Sequence, residues 1–119
     1  MEEYALGVIE SKFADIVWAN APLSTSDLVQ LCGARLGWKR TTTYTVLKKF
    51  IARGIFENDS RTVRVLVSKE DFYAKQSALY VERSFGGSLP GFLAAFTSQK
   101  KLSEQEIREI EEIISGHAK

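Results

Sequence analysis

A mainly α fold carrying one small β-hairpin is what three features of the chain predict. Apolar residues recur at helical spacing up to Gly54, valines at every second position mark a strand over 62–67, and helical patterns resume at Lys69. Helix, helix, helix, strand, strand is the order of a winged helix-turn-helix, with helices two and three as the helix-turn-helix and the hairpin as the wing. Residues 1–68 are therefore expected to form that domain, and residues 69–119 a helical region.

The first helix is read over residues 6–19, where Leu6, Ile9, Phe13, Ile16 and Val17 fall on one face. Asn20, Ala21 and Pro22 break it, because proline lacks an N–H and restricts the residue before it. Ser24 with Asp27 three residues later has the pattern of a capping box, opening a second helix through Leu28, Leu31 and Cys32. That helix stops before Gly37. In the third, spanning about 39–52, Tyr44, Val46, Leu47, Phe50 and Ile51 supply the inner side, and Arg53-Gly54 marks the end. The wing, over 55–67, is read as Ile55-Phe56-Glu57, a polar turn at Asn58-Asp59-Ser60-Arg61, and a strand from Thr62 to Val67. Helices are then expected over Lys69–Phe85, Leu89–Thr97 and Leu102–Ser115, with Gly86-Gly87 as a break and Ser103 with Glu106 as a second capping box.

With 119 residues and 45% hydrophobic content, the chain can bury a modest core. Its single cysteine, Cys32, excludes an internal disulfide and a multi-cysteine metal site, and fits a reducing cytoplasm. No apolar run approaches the roughly 18 residues of a membrane span, and the acidic start MEEYALG is unlike a signal peptide. His117, the only histidine, sits near the end of the chain, and Cys32 falls on the inner side of helix two as a small core residue. With no Gly-rich phosphate loop or carboxylate constellation, an enzyme is not expected, nor a cofactor, a metal or membrane insertion.

Net charge is +1, but it is unevenly spread. Residues 35–64 carry Arg35, Lys39, Arg40, Lys48, Lys49, Arg53, Arg61 and Arg64 against Glu57 and Asp59, a net of +6. The flanking stretches are both net negative. Such a concentration is the electrostatic footprint expected for a polyanion such as double-stranded DNA.

The same stretch contains GWKRTTTYTVLKKFIARGIF, with Thr41, Thr42, Thr43 and Thr45 near the start of helix three. Threonine is a modest helix former, since its branched side chain loses rotamer freedom against the preceding turn. N-capping accounts for one threonine and not for four. A recognition helix in the major groove needs short polar side chains there: a hydroxyl donates and accepts, and the methyl can touch a thymine methyl. The candidate DNA-binding residues are therefore Thr41, Thr42, Tyr44 and Thr45 at the bases, with Lys39, Arg40, Lys48 and Lys49 on phosphates, and Arg61 and Arg64 from the wing. The competing readings make Tyr44 partly core, the lysines a solvated face and the arginines ordinary wing charges. A winged helix can also bind protein instead of DNA, which would call for an apolar patch on helix three.

The C-terminal helices carry more apolar surface than so short a segment can bury alone. Phe85, Leu89, Phe92, Leu93, Phe96, Ile107, Ile110 and Ile114 are the candidate dimerisation residues, with Ile113 on the same stripe. Burial between two copies of the chain is expected; the alternative folds these helices back on the winged domain.

These segments together resemble the penicillinase-repressor family of transcriptional regulators, the BlaI/MecI/CopY type. The resemblance rests on ESKFADIVWANAPLSTSDL, WKRTTTYTVLKKFIARGIF, FGGSLPGFLAAF and KLSEQEIREIEEII, in that order and spacing. It implies a homodimeric repressor on a palindromic operator, with the C-terminal helices as the dimer interface. It places base contacts on Thr41, Thr42, Tyr44, Thr45, Lys48 and Lys49. Related recognition helices are basic at the positions of Thr41 and Tyr44, which implies a different operator here. In one branch a membrane sensor-protease signal leads to cleavage just before a phenylalanine in the middle C-terminal helix. The matching bond here is Ala95–Phe96, where the best-known sites of the family have asparagine in place of Ala95. The copper-responsive branch has a C-terminal cysteine cluster that this chain lacks.

Overall fold

The computed structural model describes residues 7–117. In chain order these form α1 (Val8–Asn20), β1 (Leu23–Ser24), α2 (Thr25–Leu36), α3 (Arg40–Ala52), β2 (Phe56–Asp59), β3 (Thr62–Val65), α4 (Lys69–Ser84), α5 (Leu89–Gln99) and α6 (Glu104–His117). The strands make one antiparallel sheet in the order β1-β3-β2. The chain divides into two compact units, the first ending at Leu79 and the second beginning at Tyr80.

The first unit is a winged helix-turn-helix closed around aromatic side chains. Phe13 of α1, Phe50 of α3 and Phe56 of β2 are fully buried. Their rings meet with centroids 5.3 Å apart for Phe13 and Phe50 and 5.2 Å for Phe50 and Phe56, the spacing at which aromatic pairs add to simple area burial. Val17, Leu28, Cys32, Leu47, Ile55 and Val63 fill in around them. Of the apolar residues expected on the inner face of α1, Ile9 is 53% exposed, so the buried stripe begins only at Phe13. Leu6 lies outside the described residues.

Local chemistry sets the helix ends. Ser24 accepts the Asp27 N–H at 3.0 Å and starts α2, as its sequence pattern indicates. Gly37, at φ 68°, ends α2 in the left-handed conformation that glycine adopts without a Cβ clash. At the end of α3, Gly54 N–H donates to Ile51 O and Ile55 N–H to Phe50 O, with Gly54 at φ 75°. This pair of bonds is the Schellman arrangement, and it satisfies carbonyls that a helix end would otherwise leave open.

Three expectations need correction. The hairpin is tighter than its polar residues suggest: Asn58 and Asp59 belong to β2, the turn is Ser60-Arg61 alone, and β3 ends at Val65 rather than Val67. Both turn residues have positive φ, 51° and 68°, matching the twist of the strands. A third strand, β1, pairs Leu23 with Val63 and Ser24 with Thr62, and Thr25 N–H donates to the carbonyl of Arg61 at 3.0 Å. Lastly, the first compact unit does not stop at residue 68. Phe72 on α4 is fully buried beside Trp18, their ring centroids 5.6 Å apart, and Trp18 Nε1 donates to Val67 O at 3.0 Å. Lys69 Nζ lies 3.0 Å from Asp15 Oδ1, a further tie between the start of α4 and α1.

In the second unit, Tyr80, Phe85, Phe92 and Phe96 form a chain of ring contacts with centroids 5.6 to 6.1 Å apart. Ser88 accepts the Gly91 N–H and caps α5. The Ser103 box on α6 is complete, Ser103 and Glu106 exchanging two bonds of 3.0 Å. Hydrogen bonding from the Ser103 backbone N–H, and then from the Ser103 side chain, holds the Glu106 carboxyl below its usual value. No residue of α5 or α6 is buried.

Candidate nucleic-acid interface

Helix α3 is held from behind and left open in front. Thr43, Leu47 and Phe50, spaced four and three residues apart, are 1%, 1% and 0% exposed. A helix turns about 100° per residue, so these three define one side. Thr41, Thr42, Thr45, Lys48 and Lys49 project on the opposite side within an arc of about 120° and a rise of about 12 Å. All five are exposed.

The threonine run is therefore two populations. Thr43 belongs to the core, where its hydroxyl donates to Lys39 O at 3.2 Å. It sits against Cys32, whose thiol is pushed up by burial, with the Thr43 hydrogen bond working the other way. Thr41, Thr42 and Thr45 face outward. The Thr45 hydroxyl donates to Thr41 O at 2.9 Å, which uses its proton and leaves its lone pairs and methyl outward. Sequence spacing could have separated Thr43 from the others, because it lies four residues before Leu47 on the apolar stripe.

The remaining α3 candidates are spread around this arc. Lys39 is the N-cap residue, exposed, with no side-chain capping bond. Arg40 opens the helix and is exposed, but by helical projection it lies toward the far edge, beside Tyr44. Tyr44 is half-buried and packs against the core, so the reading of it as partly core holds.

The charged groups outside α3 also sort themselves. Arg53 contributes to the positive stretch in sequence but not to the open face. Its guanidinium is 3.9 Å from Glu10 and 5.8 Å from the Phe50 ring centre, and its side chain is 13% exposed. Arg61 sits exposed at the wing turn. Arg64 faces Glu57 across the hairpin, lies 4.0 Å from Asp59, and lines a cavity of about 660 Å³ with Asp15, Trp18 and Lys69. The structure thus brings together Thr41, Thr42, Thr45, Lys48 and Lys49, and sets Arg64 among carboxylates.

Among the described residues no group of three His, Cys, Asp or Glu side chains is arranged to hold a metal ion. Nor is any of the described helices long and apolar enough to cross a membrane. Cys32 is fully buried.

The family model described as "Penicillinase repressor" matches residues 6–116. The penicillinase repressor of Bacillus licheniformis is 23% identical over 113 residues, covering 91% of this chain and 88% of that protein. The methicillin resistance regulatory protein MecI of Staphylococcus aureus strain Mu50 is 21% identical over 116 residues, covering 94% of each. An alignment at 30% identity to the fatty acid synthase alpha subunit aflA of Aspergillus parasiticus takes in 74% of this chain but only 6% of that protein. It carries no argument about activity.

Proposed function

Because the chain belongs to the penicillinase repressor family, we propose that it represses transcription as a homodimer bound to a palindromic operator. Helix α3 enters the major groove with Thr41, Thr42 and Thr45 toward base edges, while Lys39, Lys48 and Lys49 neutralise phosphates. Arg61 at the wing turn meets the backbone of the same half-site. The observation that carries this reading is the open face of α3: hydroxyls and ammonium groups in one exposed arc, on a helix whose opposite side is locked into the core. A protein-binding face would need apolar side chains there, and the arc has none except the small Ala52.

The apolar surface of the second unit supports dimerisation. Leu89, Phe96, Ile107 and Ile114 are 54%, 42%, 45% and 56% exposed in the single chain, and Ile113 is 71% exposed. Phe85, Phe92, Leu93 and Ile110 are half-buried. An apolar surface of this kind, on short helices with nothing buried, favours a second copy as its cover. Two-fold symmetry then spaces the half-sites by one or more helical turns of DNA.

The Ala95–Phe96 bond lies on α5 with both residues exposed. We place the release step there: cleavage, signalled by a membrane sensor-protease, detaches Phe96 and α6 and so divides the apolar surface. A gel-shift series with the full chain and random duplexes in low salt tests the function. Retarded complexes that fade with added salt are expected; no complex with any duplex overturns the proposal.

A further inference from the structure

Resting on the reading of α3 as a recognition helix, we propose that Thr45 is a specificity-determining residue that reads the C5-methyl group of a thymine in the major groove. The hydroxyl proton of Thr45 is spent inside the helix, on Thr41 O at 2.9 Å. With that proton turned back along its own helix, what is left to meet a partner is an oxygen that can only accept and the γ-methyl. Thr45 is exposed and lies within the arc between Thr41 and Lys49, on the second turn of α3.

The rest of the arc narrows the choice of contact. Bidentate readout of guanine needs Arg or Lys, and of adenine Asn or Gln. Residues 41, 42, 45, 48 and 49 include no Arg, Asn or Gln, and the two lysines lie a turn beyond Thr45. A hydroxyl that can only accept does not separate adenine from cytosine, since both present an exocyclic amine. A methyl contact does discriminate, because thymine alone among the four bases carries the C5-methyl. Removing one such contact weakens binding about fourfold, the equivalent of ~0.8 kcal/mol for a buried methyl-sized group.

The test uses duplexes that the full chain selects from a random pool, with each thymine then replaced by deoxyuridine, which lacks only that methyl. At one position per half-site the replacement is expected to weaken binding about fourfold, and about fifteenfold when both half-sites are changed. Thr45→Val keeps the methyl and loses the hydroxyl, so it retains this discrimination. Thr45→Ser keeps the hydroxyl and loses the methyl, so it binds the thymine and deoxyuridine duplexes alike. Equal binding of the two duplexes by the unaltered chain overturns the proposal. So does a Thr45→Ser chain that still discriminates, or a Thr45→Val chain that no longer does. Selection of no duplex at all removes the recognition-helix reading itself, and this inference with it.

Discussion

Replacing Lys48 and Lys49 together by glutamine separates the electrostatic part of binding from the base-reading part. Both lysines are exposed and share one arc with the threonines. The change removes two cations from each recognition helix and about four from a dimer, counted by symmetry. Each neutralised phosphate contributes about 0.9 to the slope of log K against log salt. If all the lysines sit on phosphates, the slope falls in magnitude by about 3.6; if one per helix does, by about 1.8. At about 0.1 M salt, relative to about 1 M, each lost contact costs about 0.9 decade, so the full loss exceeds a thousandfold. Fluorescence anisotropy of a labelled, pool-selected duplex, titrated with the unaltered and double-variant chains at several salt concentrations, reads the slope directly. Exposed substitutions of this kind leave folding stability within about 0.5 kcal/mol, so circular dichroism should not change. An unchanged slope would refute the placement of these lysines on phosphates.

Other perturbations address the scaffold. Phe50→Ala removes the ring between Phe13 and Phe56 and should cost about 3 to 5 kcal/mol, read as a lower urea midpoint for the first unit. Leu89→Glu with Phe96→Glu should give a monomer by light scattering, with helix content kept; a persistent dimer would place the interface elsewhere. Cys32 is held in its neutral form by burial, so it should resist a thiol reagent until the chain unfolds. Burial raises its folded pKa above the ordinary value of a thiol, so the stability it contributes is present below that ordinary value. That contribution is lost as pH rises past it, because only the unfolded thiol then ionises. A stability profile that is flat across alkaline pH in the unaltered chain, or still falling in the same way in Cys32→Ala, would contradict this.

Much of the first unit was legible because its signals are local. Phe13, Ile16 and Val17, Leu47 and Phe50, and the stops at Gly37 and Gly54 each report on their own helix. What escaped was made by distant partners. β1 is two residues long, too short for alternation to register, and exists because Val63 and Thr62 lie alongside it. The burial of Phe72 could not be inferred from the period of α4, because periodicity tells that a face is covered and not by what. Arg53 and Arg64 look like free cations in a string of residues. Their neighbours, Glu10 in one case and Glu57 and Asp59 in the other, become visible only once α1 and the hairpin are in place. The threonine run had the opposite fault: it reads as uniform, and the fold divides it between core and surface.

Acetylation of lysines, read by mass spectrometry with and without saturating duplex, tests most directly whether the open face of α3 meets DNA. Lys39, Lys48 and Lys49 should be protected by the duplex, while Lys100 and Lys101, which lie between α5 and α6, should label as in the free protein. Full labelling of Lys48 and Lys49 in the complex, or protection confined to Lys100 and Lys101, would contradict the account.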